Sequence, residues 1–258
     1  MKPSFRVPAV AGIFYPERKE SLKDLLQQLV PSVRRKEKAI AAIVPHGSLF
    51  SSGAVAGAVY GRLRASSSAL ILGPNHSCIG ERASLAADGE WGTPLGRVPV
   101  DRELARALLK AAPDLKKDPK AHQYEHAVEL QLPFLQKFWD LRGFVPVTLS
   151  GADLETVRRV GVGLAAVLKK SGPESFLIAS SNLACCEPRG RAEELDRQII
   201  ERILCLDEQG LMEQASRFGG SICGVPAVAA ALAAAKGLGA SRAALVKYEV
   251  GYAGILVT

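Results

Sequence analysis

The chain carries only four histidines among its 258 residues, and two of them stand just beyond apolar runs. His46 follows Ala39-Ile40-Ala41-Ala42-Ile43-Val44-Pro45, and His76 follows Ala69-Leu70-Ile71-Leu72-Gly73-Pro74-Asn75. An apolar run of that length ending in a turn signal reads as a strand buried on both faces. A third run, Phe176-Leu177-Ile178-Ala179, ends in the polar Ser180-Ser181-Asn182. Open α/β sheets bind ligands outside the carboxyl ends of their strands. If the three strands are parallel, both histidines meet at one edge, where their ring nitrogens can ligate a metal.

The other two histidines lie in His122-Gln123-Tyr124-Glu125-His126. This matches H-x-x-E-H, in which histidines at i and i+4 grip zinc and the glutamate serves as the base of a peptidase. A structural helix start with His126 buried fits the same five residues. Cys223, in Ser221-Ile222-Cys223-Gly224, also reads two ways, as a buried free thiol or as a thiolate ligand or nucleophile. Neither G-x-G-x-x-G nor G-x-x-x-x-G-K-[ST] occurs, so no sequence signal supports a dinucleotide or P-loop site.

Strands and helices alternate around these residues. A helix is expected over about 54–63. Trp91-Gly92-Thr93-Pro94-Leu95-Gly96 reads as an irregular turn leading into residues 97–100. Asp101 caps a helix with Leu104, Leu108 and Leu109 on one stripe. The pattern predicts a further helix over about 122–138, kinked near Pro133. Residues 144–149 form a strand in which Pro146 argues against a central position. A helix over 153–170, three helical segments within 191–237 and a strand pair at 243–249 and 253–257 complete the chain. The expectation is a single α/β domain over residues 1–258, with a mostly parallel or mixed sheet and helices on both faces.

Composition narrows the function classes. At 48% hydrophobic and 23% charged, the chain can bury a core without disulfide or metal staples. Net charge is +7, yet 33 bases are interspersed with 26 acids, and aromatics are only 6%. A nucleic-acid surface needs a basic face with interleaved aromatics, so no nucleic-acid partner is expected. Five cysteines, including adjacent Cys185 and Cys186, fit a reducing compartment better than a disulfide framework. Met1 to Arg6 shows no apolar export region, and the longest apolar stretch, 225–235, is too short to span a bilayer. A cytoplasmic protein with no membrane association is expected.

Taken together and in order, the motifs resemble the Memo family, which includes protein B of the AmmeMemoRadiSam system. Arg6-Val7-Pro8-Ala9-Val10-Ala11-Gly12-Ile13-Phe14-Tyr15-Pro16 is similar to the family's R-x-P-x-V-A-G-x-F-Y-P opening. Gly73-Pro74-Asn75-His76 matches its G-P-N-H turn, and Trp91 to Gly96 its W-x-T-P-L-G segment. Glu125 to Leu135 matches E-H-S-x-E-x-Q-L-P-F-L, and Cys223-Gly224 and Val250-Gly251-Tyr252-Ala253 match the closing pieces. The resemblance implies the fold of class III extradiol dioxygenases. It also implies a metal pocket whose two histidines and one cysteine fall on His46, His76 and Cys223. Copper, iron or zinc is the implied metal, and radical-SAM system proteins are the implied partners.

Departures from the family pattern limit the chemistry. The family's P-H-A-G-Y-x-Y-S-G reads Pro45-His46-Gly47-Ser48-Leu49-Phe50-Ser51-Ser52-Gly53, without either tyrosine. Its S-S-D-x-x-H reads Ser180-Ser181-Asn182-Leu183-Ala184-Cys185, so Asn182 replaces a carboxylate and Cys185 a histidine. That histidine position resembles the acid/base histidine of the dioxygenases, which leaves Cys185, Asn182 and His126 as the catalytic candidates. If the positional analogy holds, Cys185 shares the pocket with Cys223 and a disulfide between them is conceivable. The resemblance therefore implies a metal-binding protein, with redox activity as one option, for which ordinary ring cleavage is not expected. A non-catalytic protein holding a small molecule or peptide in the same pocket is the alternative, and a zinc peptidase a remote one.

Overall fold

The uninterrupted apolar runs become central strands, because a strand covered on both faces offers no side to polar residues. The computed structural model describes residues 4–258. The Met1-Lys2-Pro3 opening of the stretch read for an export signal lies outside them. In chain order, β1 (Phe5–Arg6) and α1 (Lys19–Leu29) precede β2 (Ala41–Val44), α2 (Gly53–Arg62) and β3 (Ser68–Gly73). Next come β4 (Ala83–Leu85), β5 (Glu90–Thr93), β6 (Gly96–Pro99), α3 (Arg102–Ala111) and β7 (Lys116–Lys117). Then follow α4 (Leu132–Phe138), β8 (Gly143–Leu149), α5 (Leu154–Ser171), β9 (Ser175–Ser180) and α6 (Arg189–Leu204). The chain closes with α7 (Glu208–Ser216), α8 (Val225–Gly237), β10 (Ala243–Glu249) and β11 (Tyr252–Val257).

Eight strands form one mixed sheet in the order β10-β11-β2-β9-β3-β8-β4-β7. Its centre, β2-β9-β3-β8, is parallel, so the loops after β2, β3 and β9 share one edge as expected. Helix α2 packs on β2, β10 and β11, and α8 packs on β2, β3 and β9. Both helices are apolar over most of their surface, as elements enclosed between a sheet and further helices must be. Among the described residues, no helix is long and apolar enough to cross a membrane.

Three local expectations fail for identifiable reasons. The Trp91 to Gly96 segment is a hairpin, not an irregular turn: β5 pairs with β6 antiparallel and with β1 parallel, in a separate three-stranded sheet. The helix expected over 122–138 forms only from Leu132. Residues 120–122 and 129–131 are single 3-10 turns, and Pro133 sits in the first turn of α4, where no N–H is needed. Pro133 thus starts the helix instead of kinking it. Strand β8, with Pro146 inside it, lies between β3 and β4. Phe144 sends its carbonyl to Asp101 N on the side away from β3, and strand alternation turns position 146 the same way. Strand β4 reaches only to the partner of Val147, so the missing N–H of Pro146 falls in a gap of the ladder.

The helix starts read from sequence do form. Asp101 Oδ1 accepts from Leu104 N at 3.0 Å, and Asp153 Oδ1 from Thr156 N at 2.8 Å. Asp101 does more, since its Oδ2 also accepts from the buried Ser68 hydroxyl at 3.0 Å. Loss of a cap and of a buried hydroxyl's acceptor together costs about 2–3 kcal/mol. Asp101→Ala is therefore expected to lower the urea midpoint more than Asp153→Ala does, at an unchanged m-value. Equal shifts in the two variants would show that the Ser68 contact contributes nothing.

Candidate metal centre

Each histidine at the shared edge is oriented by its Nδ1. The Ser180 hydroxyl, at the end of β9, has one hydrogen and gives it to the Ala127 carbonyl at 2.8 Å. It must therefore accept from its other two neighbours, Gln131 Nε2 at 2.9 Å and His46 Nδ1 at 3.0 Å. His46 thus carries its proton on Nδ1, and its Nε2 lone pair faces Cys223 Sγ at 3.1 Å. His76 is held the same way, with Nδ1 3.0 and 3.1 Å from the two Glu125 oxygens and its backbone N donating to Glu125 at 2.7 Å. That leaves its Nε2 to face Cys223. A histidine fixed through Nδ1 by a carboxylate or hydroxyl is the usual arrangement behind a metal ligand.

Cys223 arrives from the far side. Gly224 starts α8 at φ +78°, and a Cβ there would lie 2.7 Å from the Ser180 carbonyl oxygen. Only glycine lets this loop lie against the end of β9. The Ser181 hydroxyl donates to the Cys223 carbonyl at 2.6 Å and fixes the approach. The structure thus brings His46, His76 and Cys223 together, with one ligand atom of each within 4.8 Å of the others. His46 is fully buried, while His76 opens toward solvent.

The other candidates are placed differently. Asn182 Oδ1 accepts from His46 N at 2.8 Å, a positioning contact. His126 stacks on His76 with ring centroids 4.6 Å apart and meets the Phe14 ring edge-on. Together with His76 and Glu125 it forms a second group of potential ligand atoms. Cys185 Sγ lies 3.8 Å from Cys186 Sγ, and all five cysteines are free, so no disulfide joins Cys185 to Cys223. His122 turns away, its Nε2 3.5 Å from the Ser84 hydroxyl and its ring edge-on to Trp91. Without a helix over 122–126 the two histidines of H-x-x-E-H share no face, which removes the zinc-peptidase arrangement.

Burial and neighbouring charge set the protonation states. Burial pushes His46 well below its usual range, with the nearby His76 and His126 adding to the effect. Burial opposes the charged form of His76 too, but contacts with Cys223 and Glu125 outweigh it and raise this ring to about 10. Glu125 is held at about 2: burial works against its charge, and the hydrogen bonds from His76 and the backbone prevail. His126 is lowered by burial first.

Comparison with known proteins identifies the family. Residues 6–254 match the family described as Memo-like protein. A MEMO1 family protein of Methanosarcina barkeri is 41% identical, the alignment covering 98% of this chain and 99% of the relative. A MEMO1 family protein of Methanopyrus kandleri is 38% identical over 94% of this chain and 91% of the relative, and one of Methanothermobacter thermautotrophicus 34% over 94% and 92%. The chain belongs to the Memo family.

Two Memo motifs far apart in the chain turn out to be one contact. Glu129 is fully buried and accepts from Arg6 Nη1 at 2.6 Å, Ala9 N at 2.8 Å, Val10 N at 3.1 Å and Tyr15 OH at 2.6 Å. Arg6 also donates to the carbonyls of His122 and Glu125, both at 2.7 Å, and lies over Trp91 at 4.0 Å. Nothing in the local sequence showed that Glu129, Gln131 or Ser180 hold other site residues in place, because the contacts that do so span 49 to 134 positions. Only Glu125 carried a signal, as the acid of H-x-x-E-H, and there it suggested a base instead of an anchor.

His122 gives a pH dependence of stability. Burial first, and then the Arg6 charge, lowers its pKa from 6.5 to about 4. Between those values the unfolded chain binds a proton that the folded chain does not, so stability falls as pH drops from about 6.5 to about 4. The shift corresponds to on the order of 3 kcal/mol. Denaturation curves of His122→Phe are expected to lose less stability than the parent across this window. Identical acid slopes would show that His122 charges without penalty.

Proposed function

We propose that this Memo family protein holds one transition-metal ion between His46 Nε2, His76 Nε2 and Cys223 Sγ. The observation that carries the reading is that both rings are held through Nδ1, which leaves both Nε2 atoms turned toward one sulfur. Three such donors at tetrahedral ligand distances stand about 3.3–3.6 Å apart. A spread of at most 4.8 Å therefore fits an ion after small side-chain movements. Two imidazoles and a thiolate are a softer set than two histidines and a carboxylate, so copper and zinc compete well with iron here. A bound ion of this kind supplies Lewis-acid polarisation and, for copper or iron, one-electron chemistry. Five free thiols suit a reducing, cytoplasmic setting.

The chain's own residues hold and orient, and they offer little proton transfer. Asn182 has no ionisable proton, and its acceptor oxygen is already committed to His46 N. Burial first, then Cys186 and Cys223, raises the Cys185 thiol to about 12, far from a working acid or base at neutral pH. These are the positions that the family pattern gives to an aspartate and a histidine. The proposed activity is metal binding, with a small molecule or peptide admitted on the open side of His76, and extradiol ring cleavage lies outside it.

Two measurements test this reading. Anaerobic titration with Cu(I), Zn(II) and Fe(II) is expected to lose the tight site in His46→Ala and Cys223→Ala. Glu125→Gln, which removes the carboxylate behind His76, is expected to weaken it about 10–100-fold. Unchanged affinity in Cys223→Ala would sink the thiolate ligand. The Fe(II)-loaded protein is also expected to leave catechols uncleaved, since loss of general acid/base help costs about 10²–10⁴-fold. Ring opening near 10 s⁻¹, about the enzyme median, would overturn that expectation.

A further inference from the structure

The loop after β9 presents two sulfurs that the metal centre does not use. Cys185 and Cys186 are both exposed, and their Sγ atoms lie 3.8 Å apart. Adjacent residues in an extended strand point to opposite faces, so a tight local path is needed to bring both thiols to one side. Several contacts fix that path. Leu183 N donates to the Gly251 carbonyl at 2.8 Å, and Ala184 N to the buried Asp196 carboxylate at 2.8 Å. Cys185 N turns back to the Leu183 carbonyl at 2.8 Å, and Glu187 N to the Ala184 carbonyl at 3.2 Å. Gly251, at φ +85°, lies so close that a Cβ there would sit 2.6 Å from Cys185 Cα. Its N–H donates to Asp196 at 2.7 Å, as does the Tyr248 hydroxyl at 2.9 Å. The Asp196 carboxylate therefore ties the thiol loop to the β10–β11 hairpin.

We propose that Cys185 and Cys186 form a second, outer site for a soft closed-shell cation, Cu(I) or Zn(II), distinct from the His46/His76/Cys223 centre. Two thiolates on one ion at about 2.3 Å stand about 3.8 Å apart in a tetrahedral arrangement. The free sulfurs already have that spacing, so binding needs no backbone rearrangement. Loading releases the two thiol protons and changes no oxidation state. Structural zinc sites are closed by four protein ligands. With only two, this site keeps positions open to solvent or to a donor's thiol, which makes it a site of exchange. The assignment stands on the geometry of this loop and does not depend on the centre proposed above.

Phenylarsine oxide tests the dithiol alone, because its arsenic forms two As–S bonds to a close thiol pair while its oxygen leaves as water. The reduced protein is expected to gain one arsenical adduct by mass. Cys185→Ser and Cys186→Ser should each lose it, and Cys223→Ala should keep it. No adduct on the parent, or an adduct surviving in both serine variants, would overturn the proposal. Anaerobic Cu(I) and Zn(II) titrations against a chromophoric chelator provide the second arm. Two equivalents are expected on the parent, falling to one in the Cys185→Ser/Cys186→Ser double variant. Two equivalents remaining in the double variant would also overturn the outer site. Cys223→Ala separates the two assignments: if it retains both equivalents, the centre fails and the outer thiols stand.

Discussion

Two carboxylates with no contact to solvent, Glu125 and Glu129, organise the edge of the sheet on which the candidate centre is built. Burying an ionised carboxylate costs several kcal/mol unless its lone pairs are fully used. Glu129 has four donors, and one of them is the guanidinium of Arg6. Glu125 has the backbone N–H groups of His76 and Ala127 and the His76 ring. Removing any one donor strands charge in a dry place, so the arrangement is closer to all-or-none than to a sum of contacts. The consequence runs along the chain. Strand β1 is fastened to the 122–129 segment through Arg6, and that segment in turn fixes the ring of His76. The irregular backbone over 123–128 is what lets two acids four residues apart face different partners. A regular helix would place them on one face.

His46 depends on a similar chain of single hydrogens. The Tyr60 hydroxyl in α2 donates to Gln131 Oε1 at 2.9 Å, which orients that amide. Its Nε2 then donates to the Pro45 carbonyl at 3.1 Å and to the Ser180 hydroxyl. With the Ser180 hydrogen directed to Ala127, the His46 proton has only one place to be. The tautomer of a candidate ligand is thus fixed by a tyrosine on a helix beneath the sheet. This is also why Gln131 and Ser180 tolerate complete burial: each polar atom has a partner.

Patterns with a local cause were readable from the sequence. The central strands follow from uninterrupted apolar runs, and the start of α3 follows from Asp101. The segment 122–138 was misread as helix because its apolar spacing is helical while its shape is decided by Arg6, some 120 residues earlier. Pro146 misled in the opposite direction, since whether a missing N–H matters depends on where the neighbouring strand β4 stops. The grouping of His46 with His76 followed from parallel strands ending at one edge. Cys223 had no such cue: its approach depends on Gly224 fitting against Ser180, and a single glycine does not announce its neighbour. Its place beside the histidines was anticipated only through likeness to the Memo family.

Position 182 separates scaffold from chemistry in this site. Its side chain has one structural task, to accept the N–H of His46 at the end of β2. An amide oxygen performs that task as well as a carboxylate oxygen, so asparagine keeps the histidine where it is. What the amide lacks is charge and a titratable proton, and those matter only to a reaction that moves protons or to an ion that needs balancing charge. Cys185 repeats the pattern three residues later. Its backbone closes the loop through Leu183, a contact that does not depend on which side chain stands there. Both positions keep the edge of the sheet intact through contacts that need neither a charge nor a titratable proton. The contacts that hold the pocket together are thus separable from any chemistry performed in it.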